Sequence, residues 1–325
     1  MTATSPSDTM WAITQTTLGE PDVLTPTQVP RPTPPPGHIL IRVHATSLNP
    51  TDWVHRRYPG FLGPINPADP PRILGWDVSG TIEQIGLGVT IHQPGEPVVA
   101  VLPYPASHGS AAEYVIAPAR AAVPKPAGVT HTQAAAAALA GLTAHQAVVD
   151  CGQVTEGMRV LIHGAAGGVG HLAVQIARAR GATVIATAAS KHTPLLTRLG
   201  VEGHIDYQQT RFEDHATHID VVIDCVGGDY PQRSLPTLRD KRGTIVSLVL
   251  NTTEPLNVPD VTHLLPLVEP DPHALTQVLA MIDRRQLTPT ITQIYPLHQA
   301  AQAHQHGETG HLEGKLVLTS EGTTR

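Results

Sequence analysis

The run Gly164-Ala165-Ala166-Gly167-Gly168-Val169-Gly170 joins a short β-rich apolar stretch, Val160-Leu161-Ile162-His163, to a segment with apolar residues at helical spacing. Glycine lets a backbone approach a ligand with no Cβ in the way, and free N–H groups at a helix start attract an anion. A strand, a tight turn and a helix in this order suit the pyrophosphate of a dinucleotide. Ala165 stands at the first glycine of G-x-G-x-x-G, while Gly167 and Gly170 keep the other two. Two further hydrophobic strands, 183–187 and 220–225, follow at the right spacing, each after a helical segment, and give the motif its weight.

The elements that must hold this turn read as an alternation. Strands are expected at 159–163, 183–187, 204–206, 220–224 and 243–249, helices at 168–180, about 191–199 and about 229–239, and a last strand at 264–268. Strands alternating with helices specify a doubly wound parallel sheet. Upstream, 132–150 reads as helix, nearly all alanine over 133–140, with Gly141-Leu142-Thr143-Ala144 as an interruption.

The first third is different. Five prolines in 30–37 form a rigid connector, and strands at 39–45, 73–82, 97–102 and 111–117 with glycine turns make a small β-rich unit. After residue 271 come a helix (272–286), a strand (291–294), a helix from 297 to about 306 and a closing strand, 314–318. That tail is expected to return to the β-rich unit. The domains are therefore 1–127 with 269–325, and 128–268, with a ligand cleft between them.

Composition narrows the partners. The net charge is −6 over 325 residues with both signs interspersed, so neither nucleic acid nor an anionic membrane is indicated. Two cysteines, Cys151 and Cys225, support neither a disulfide framework nor a four-sulfur zinc site. The N-terminus lacks a signal-type apolar core, and no eighteen consecutive apolar residues occur; a cytoplasmic protein acting on a small molecule is expected. Nineteen histidines are scattered through every region, a composition bias with solvated side chains and not a metal signature.

Several stretches in order carry a family pattern: Asn49-Pro50-x-Asp52, Gly80-x-Ile82, Gly109-x-x-Ala112-Glu113-Tyr114, Gly141-Leu142-Thr143-Ala144, the glycine turn at 164–170, and Gly314-Lys315-Leu316-Val317-Leu318. From about Trp11 to Leu318 the chain resembles the medium-chain dehydrogenase/reductase superfamily, and within it the zinc-free quinone oxidoreductase (ζ-crystallin-like) branch. The resemblance implies a β-rich GroES-like catalytic domain, a Rossmann domain, NADPH-dependent reduction and a homodimer paired through the edge of the Rossmann sheet. Where zinc relatives carry a cysteine ligand this chain has Asn49, and where they carry Gly-His-Glu it has Gly75-Trp76-Asp77. An amide and an indole do not replace thiolate and imidazole on Zn²⁺, so no metal is expected.

The coenzyme follows from the end of the second Rossmann strand, where NAD enzymes usually hold the ribose with a carboxylate. Here 183–191 reads Thr-Val-Ile-Ala-Thr-Ala-Ala-Ser-Lys, with no acid. Ser190 offers a hydroxyl and Lys191 a cation to a 2′-phosphate; one charge-assisted hydrogen bond of about 1.5–3 kcal/mol would favour NADPH by roughly tenfold or more. By resemblance Tyr207 lies near that phosphate, Asn49 and Thr143 near the nicotinamide, and Cys225, Val226 and Leu248 at strand ends beside it. Asn49 is equally suited to cap the helix beginning at Pro50.

Hydride delivery to a quinone or to the β-carbon of an enone needs orientation, an oxyanion stabiliser and then a proton. Tyr58 is the first candidate donor, followed by Asp52, His55 and His108. Two alternatives are an enoyl-thioester reductase of a biosynthetic pathway and a non-catalytic NADPH-binding structural or regulatory protein.

Overall fold

The structure, a computed structural model, describes residues 9–320 apart from 67, 105–108, 250–254 and 311. His108 and the start of the irregular segment after the fifth Rossmann strand lie outside the described residues. Two compact units form: 1–139 with 269–283 and 291–325, and 140–268 with 284–290.

The first unit is β-rich. Its strands are β1 (Thr9–Gln15), β2 (Thr25–Pro30), β3 (His38–Ser47), β4 (Arg72–Ile73), β5 (Asp77–Ile85), β6 (Pro97–Val101), β7 (Tyr114–Pro118) and β8 (Ala122–Pro124), and α1 (Pro50–Arg57) follows β3. α2 (His131–His145) begins in this unit and runs on into the second.

The second unit contains β9 (Arg159–His163), α3 (Gly170–Ala179), β10 (Thr183–Ala188), α4 (Thr193–Leu199), β11 (Gly203–Asp206), β12 (Val221–Asp224), α5 (Tyr230–Ser234), β13 (Gly243–Ser247) and β14 (Val261–Leu264). The chain then returns to the first unit through α6 (Pro272–Asp283), β15 (Ile291–Pro296), α7 (Ala300–Gly307) and β16 (Lys315–Thr319). β16 pairs antiparallel with β3, in the sheet ordered β15-β16-β3-β5-β6-β8. Tyr295, Leu297, Ala303, Leu316 and Leu318 of the tail share one core with Ile39, Ile41, Trp76 and Val78. Burial of that apolar face is what brings the tail back.

The second unit holds a parallel sheet ordered β11-β10-β9-β12-β13-β14. Counted within the sheet this is the 3-2-1-4-5-6 order of a Rossmann fold, whose direction reverses between β9 and β12. β9 and β12 are buried on both faces, as central parallel strands require. α3 turns Leu172, Ala173, Ile176 and Ala177 inward and leaves Arg178 and Arg180 exposed.

Several expected elements differ, and in the first unit the strand expected at 73–82 is broken at 74–76 into β4 and β5. Gly141-Leu142-Thr143-Ala144 does not interrupt α2: Leu142 and Ala144 are fully buried, and tertiary packing overrides the weak propensity of glycine. The helix continues as a π-helical stretch, Gln146–Cys151. The helix expected at 229–239 stops at Ser234 because Pro236 has no N–H to give the Gln232 carbonyl. The last strand is 261–264 rather than 264–268, since Pro266 cannot join a ladder. The helical stretch His131–Cys151 is long and apolar enough to cross a membrane by composition, but 67% of its apolar window is buried inside the fold.

Candidate functional site

The candidate residues fall into two groups, one in each unit. In the second unit the glycine turn leaves β9 at the point where the strand order reverses. Gly164 adopts φ +65°, a left-handed conformation that costs a residue with a Cβ free energy. The turn closes on itself: the Ala165 N–H donates to the Thr187 carbonyl at 3.1 Å and the Gly167 N–H to the Gly164 carbonyl at 3.0 Å. A Cβ on Gly170 would run into the Gly164 carbonyl oxygen and lie 2.8 Å from the Ala165 Cα, so helix and strand meet with no room for a side chain. A Cβ on Gly167 would touch only the Gly164 oxygen, at 3.3 Å. The open space above Gly167 is the room that a pyrophosphate needs, and the residues present fit one.

His163, the last residue of β9, braces the turn from below. Its ring nitrogens pair with Thr187 Oγ1 and Ser234 Oγ, each at 3.0 Å, and its ring packs on Phe212 and Tyr230. Burial, and secondarily the Arg233 charge, pull its pKa down to about 3, so the imidazole is neutral and structural.

At the end of β12, Asp224 accepts the N–H groups of Val226 and Gly227 at 2.8 and 3.0 Å and the Ser247 hydroxyl at 3.2 Å. Ser247 in turn meets His263 Nε2 at 3.0 Å. This buried chain shapes the turn that carries Cys225 and Val226. Burial and the Asp224 charge push the Cys225 thiol well above its usual pKa, which keeps it protonated. Leu248 continues from β13 with its N–H on the Asp224 carbonyl at 2.9 Å, and Thr143 is half-buried in α2.

Ser190 and Lys191 are exposed directly after β10, and Tyr207 is exposed directly after β11. The second strand itself ends without a carboxylate, as its sequence reads, but the neighbouring strand brings one to the same level. Asp206, the last residue of β11, is the register partner of Ala188, and its Oδ2 accepts the Ser190 N–H at 3.1 Å. A strand end is populated by its neighbour's residues as well as its own.

In the first unit, Asn49 and Asp52 lie in a buried charged cluster. The Asp52 carboxylate accepts the Asn49 N–H at 2.6 Å, the reciprocal bond of a helix N-terminus. The Asn49 amide donates from Nδ2 to Asp77 at 2.5 Å and accepts the Lys315 ammonium on Oδ1 at 2.5 Å. Lys315 also donates to the Leu48 carbonyl at 2.6 Å, and Asp77 accepts the Leu139 N–H at 2.6 Å. All four side chains are buried.

Burial raises the Asp52 pKa to about 7, pushes Asp77 up and pulls Lys315 down, while Lys315 opposes the shift in both acids. A lysine cation therefore already satisfies the Asn49 amide and faces both carboxylates. Among the described residues no three His, Cys, Asp or Glu side chains are placed to hold a metal ion.

Tyr58 ends α1 and is 58% exposed. His55, on α1, is buried; its Nε2 meets the Tyr104 hydroxyl at 2.8 Å, and both rings pack against Trp76. Burial lowers the His55 pKa and raises that of Tyr104. Lys315 and Asp77 stand in the family stretches without a site role there, and Tyr104, Asp224 and Asp206 carry no role in the sequence pattern. A signal existed for three of them: a lysine directly before the apolar run of β16, and an acid at the end of each of the parallel strands β11 and β12.

Comparison with known proteins agrees with this architecture. Residues 35–127 match the alcohol dehydrogenase GroES-like domain and residues 199–318 a zinc-binding dehydrogenase domain. A mitochondrial NAD(P)H oxidoreductase, RTN4IP1 of Danio rerio, is 30% identical over 87% of this chain and 84% of its own length. A chloroplast envelope quinone oxidoreductase homolog of Arabidopsis thaliana is 30% identical over 90% of this chain and 92% of its own. The solved quinone oxidoreductase of Coxiella burnetii superposes with a TM-score of 0.88 at 34% identity, covering 96% of this chain and 100% of that one.

The expectation of a cytoplasmic protein is overturned here, because relatives matching most of the chain carry mitochondrial and chloroplast names. Composition does not separate one reducing interior from another. A GroES-like β unit, a Rossmann sheet with its glycine turn at the reversal point, and full-length likeness to NAD(P)H and quinone oxidoreductases lead to one assignment: the chain belongs to the medium-chain dehydrogenase/reductase superfamily, in its zinc-free quinone oxidoreductase branch.

Proposed function

We propose that this protein is an NADPH-dependent oxidoreductase that transfers hydride to a quinone or to the activated C=C of an enone, without zinc. The observation that carries the reading is the glycine turn closed on Thr187 at the reversal point of a 3-2-1-4-5-6 sheet, followed after β10 by Ser190 and Lys191. NADPH, when bound, supplies the hydride. The turn 164–170 would hold its pyrophosphate, Lys191 and Tyr207 would face its 2′-phosphate, and Thr143, Cys225, Val226 and Leu248 are the candidates to flank the nicotinamide.

The first unit holds the other candidate residues. Asn49 and Asp52 are engaged with each other and with Lys315 and Asp77, so their side chains are held in place by this cluster. Tyr58, exposed and phenolic, is the candidate to give its O–H proton to the enolate left after hydride adds to the β-carbon. A homodimer paired through the β14 edge of the Rossmann sheet belongs to the same reading, and sedimentation of a monomer at micromolar concentration would remove it.

The reading is tested by NADPH oxidation with a simple quinone, a short α,β-unsaturated ketone and a crotonyl thioester. Turnover of the quinone or the ketone, unchanged by a chelator, is the expected result. Turnover of the thioester alone would favour an enoyl-thioester reductase, and saturable NADPH binding with no turnover would favour a non-catalytic binding protein.

The phosphate assignment has its own check. Lys191→Ala is expected to weaken NADPH by roughly tenfold or more and NADH less than twofold, as loss of one charge-assisted contact predicts. Equal weakening of both coenzymes in a binding titration would place the phosphate elsewhere.

A further inference from the structure

We propose that Asp206 is a specificity-determining residue that restrains the preference for NADPH and leaves the site able to use NADH. The proposal rests on the nicotinamide coenzyme reading above and adds to it a residue that opposes Lys191.

Three observations place Asp206 in this role. The parallel register sets it beside Ala188, at the level where the second strand of a Rossmann sheet ends and the ribose of the adenosine half is held. Its carboxylate takes up the donors that this strand end offers: the Ser190 N–H reaches Oδ2 at 3.1 Å, and the Ser190 side chain bonds to it as well. It is also held in place, with the Gln208 N–H on Oδ1 at 2.9 Å and the Gln209 side-chain amide on Oδ2 at 3.1 Å. The Gln208 backbone bond is the main cause that keeps its pKa below the ordinary aspartate value. The group is therefore a fixed anion at neutral pH.

The consequence is electrostatic. A 2′-phosphate entering beside Ser190 must either displace this carboxylate from its donors or accept a like charge as its neighbour. A free 2′-hydroxyl has no such conflict, because it can donate a hydrogen bond to a carboxylate, which is how acids at this level serve NAD. Lys191 pulls toward the phosphate and Asp206 against it. Coenzyme choice is then a balance between one residue after β10 and one at the end of β11, and reading the second strand alone gives only half of it.

The test is a pair of fluorescence titrations of the full-length protein with NADPH and with NADH, for the wild type, Asp206→Asn and Asp206→Ser. Asparagine keeps the size and one acceptor while removing the charge; serine removes the charge by a different route if the asparagine variant loses its far-UV circular dichroism. Removing one like charge at a surface site is expected to tighten NADPH by roughly tenfold and to leave NADH unchanged or weaker. An NADPH-to-NADH affinity ratio that stays within about twofold of the wild type overturns the proposal and leaves Asp206 as a turn former. Weaker NADPH binding also overturns it, since Asp206 would then be positioning Ser190 for the phosphate. A wild type that binds neither coenzyme removes the coenzyme reading itself, and this inference with it.

Discussion

Lys315→Met is expected to lower stability by about 3–5 kcal/mol at neutral pH, the usual effect of breaking a buried ion pair by removing one partner. The reason is local. Lys315 is the cation that faces Asp77 and Asp52 and that orients the Asn49 amide, and all of these side chains are buried. Methionine fills the space and leaves two carboxyl groups with no cation.

The sign of the pH dependence follows from the same cluster. Asp52 titrates near 7 in the folded protein, above its ordinary value of 3.8, so the folded state holds this proton more tightly than the unfolded one. Its contribution to stability is fully present below the unfolded pKa and is lost as pH rises through 7. Without Lys315 both acids rise further, and each one kept neutral steepens the decline by up to about 1.4 kcal/mol per pH unit. The deficit of Lys315→Met against the wild type should therefore be smaller at pH 5 than at pH 8. Thermal or urea unfolding at the two pH values measures it, and an equal deficit at both would mean that the acids are not coupled to Lys315.

Gly170→Ala is expected to give the second large effect, in coenzyme binding. The new Cβ falls on the Gly164 carbonyl oxygen and against the Ala165 Cα, both backbone atoms that no rotamer change can clear. α3 must move away from the end of β9, at a cost of about 1–3 kcal/mol for the overpacking. The same shift opens the turn. NADPH affinity should fall by at least about tenfold, the equivalent of 1.4 kcal/mol. Titration of the variant beside a Gly157→Ala control, which meets no atom within 4 Å but carries backbone strain from its left-handed φ of +83°, separates loss of the turn from a backbone destabilisation remote from it. Wild-type affinity in Gly170→Ala would show that the close contact does not set the site.

The alternation that makes the Rossmann sheet is written along the chain, because strand and helix periodicities and glycine punctuation are local properties. So is the turn at 164–170, whose glycines are needed for backbone reasons that do not depend on the rest of the chain: a left-handed Gly164 and a Gly170 with no room for a Cβ. The return of the tail to the β-rich unit was legible from its apolar pattern, which had to be buried somewhere.

What lies across a sheet or a core emerges only once the chain has folded. α2 passes through Gly141 without a break because burial of Leu142 and Ala144 outweighs local propensity. Lys315 meets Asn49 from 266 positions away, a pairing created by the antiparallel contact of β16 with β3. Asp206 reaches Ser190 because parallel register sets one strand end beside another. Chemistry carried along one stretch of chain can be read in order, whereas charges that meet only after strands have been placed side by side depend on a register that no single stretch contains.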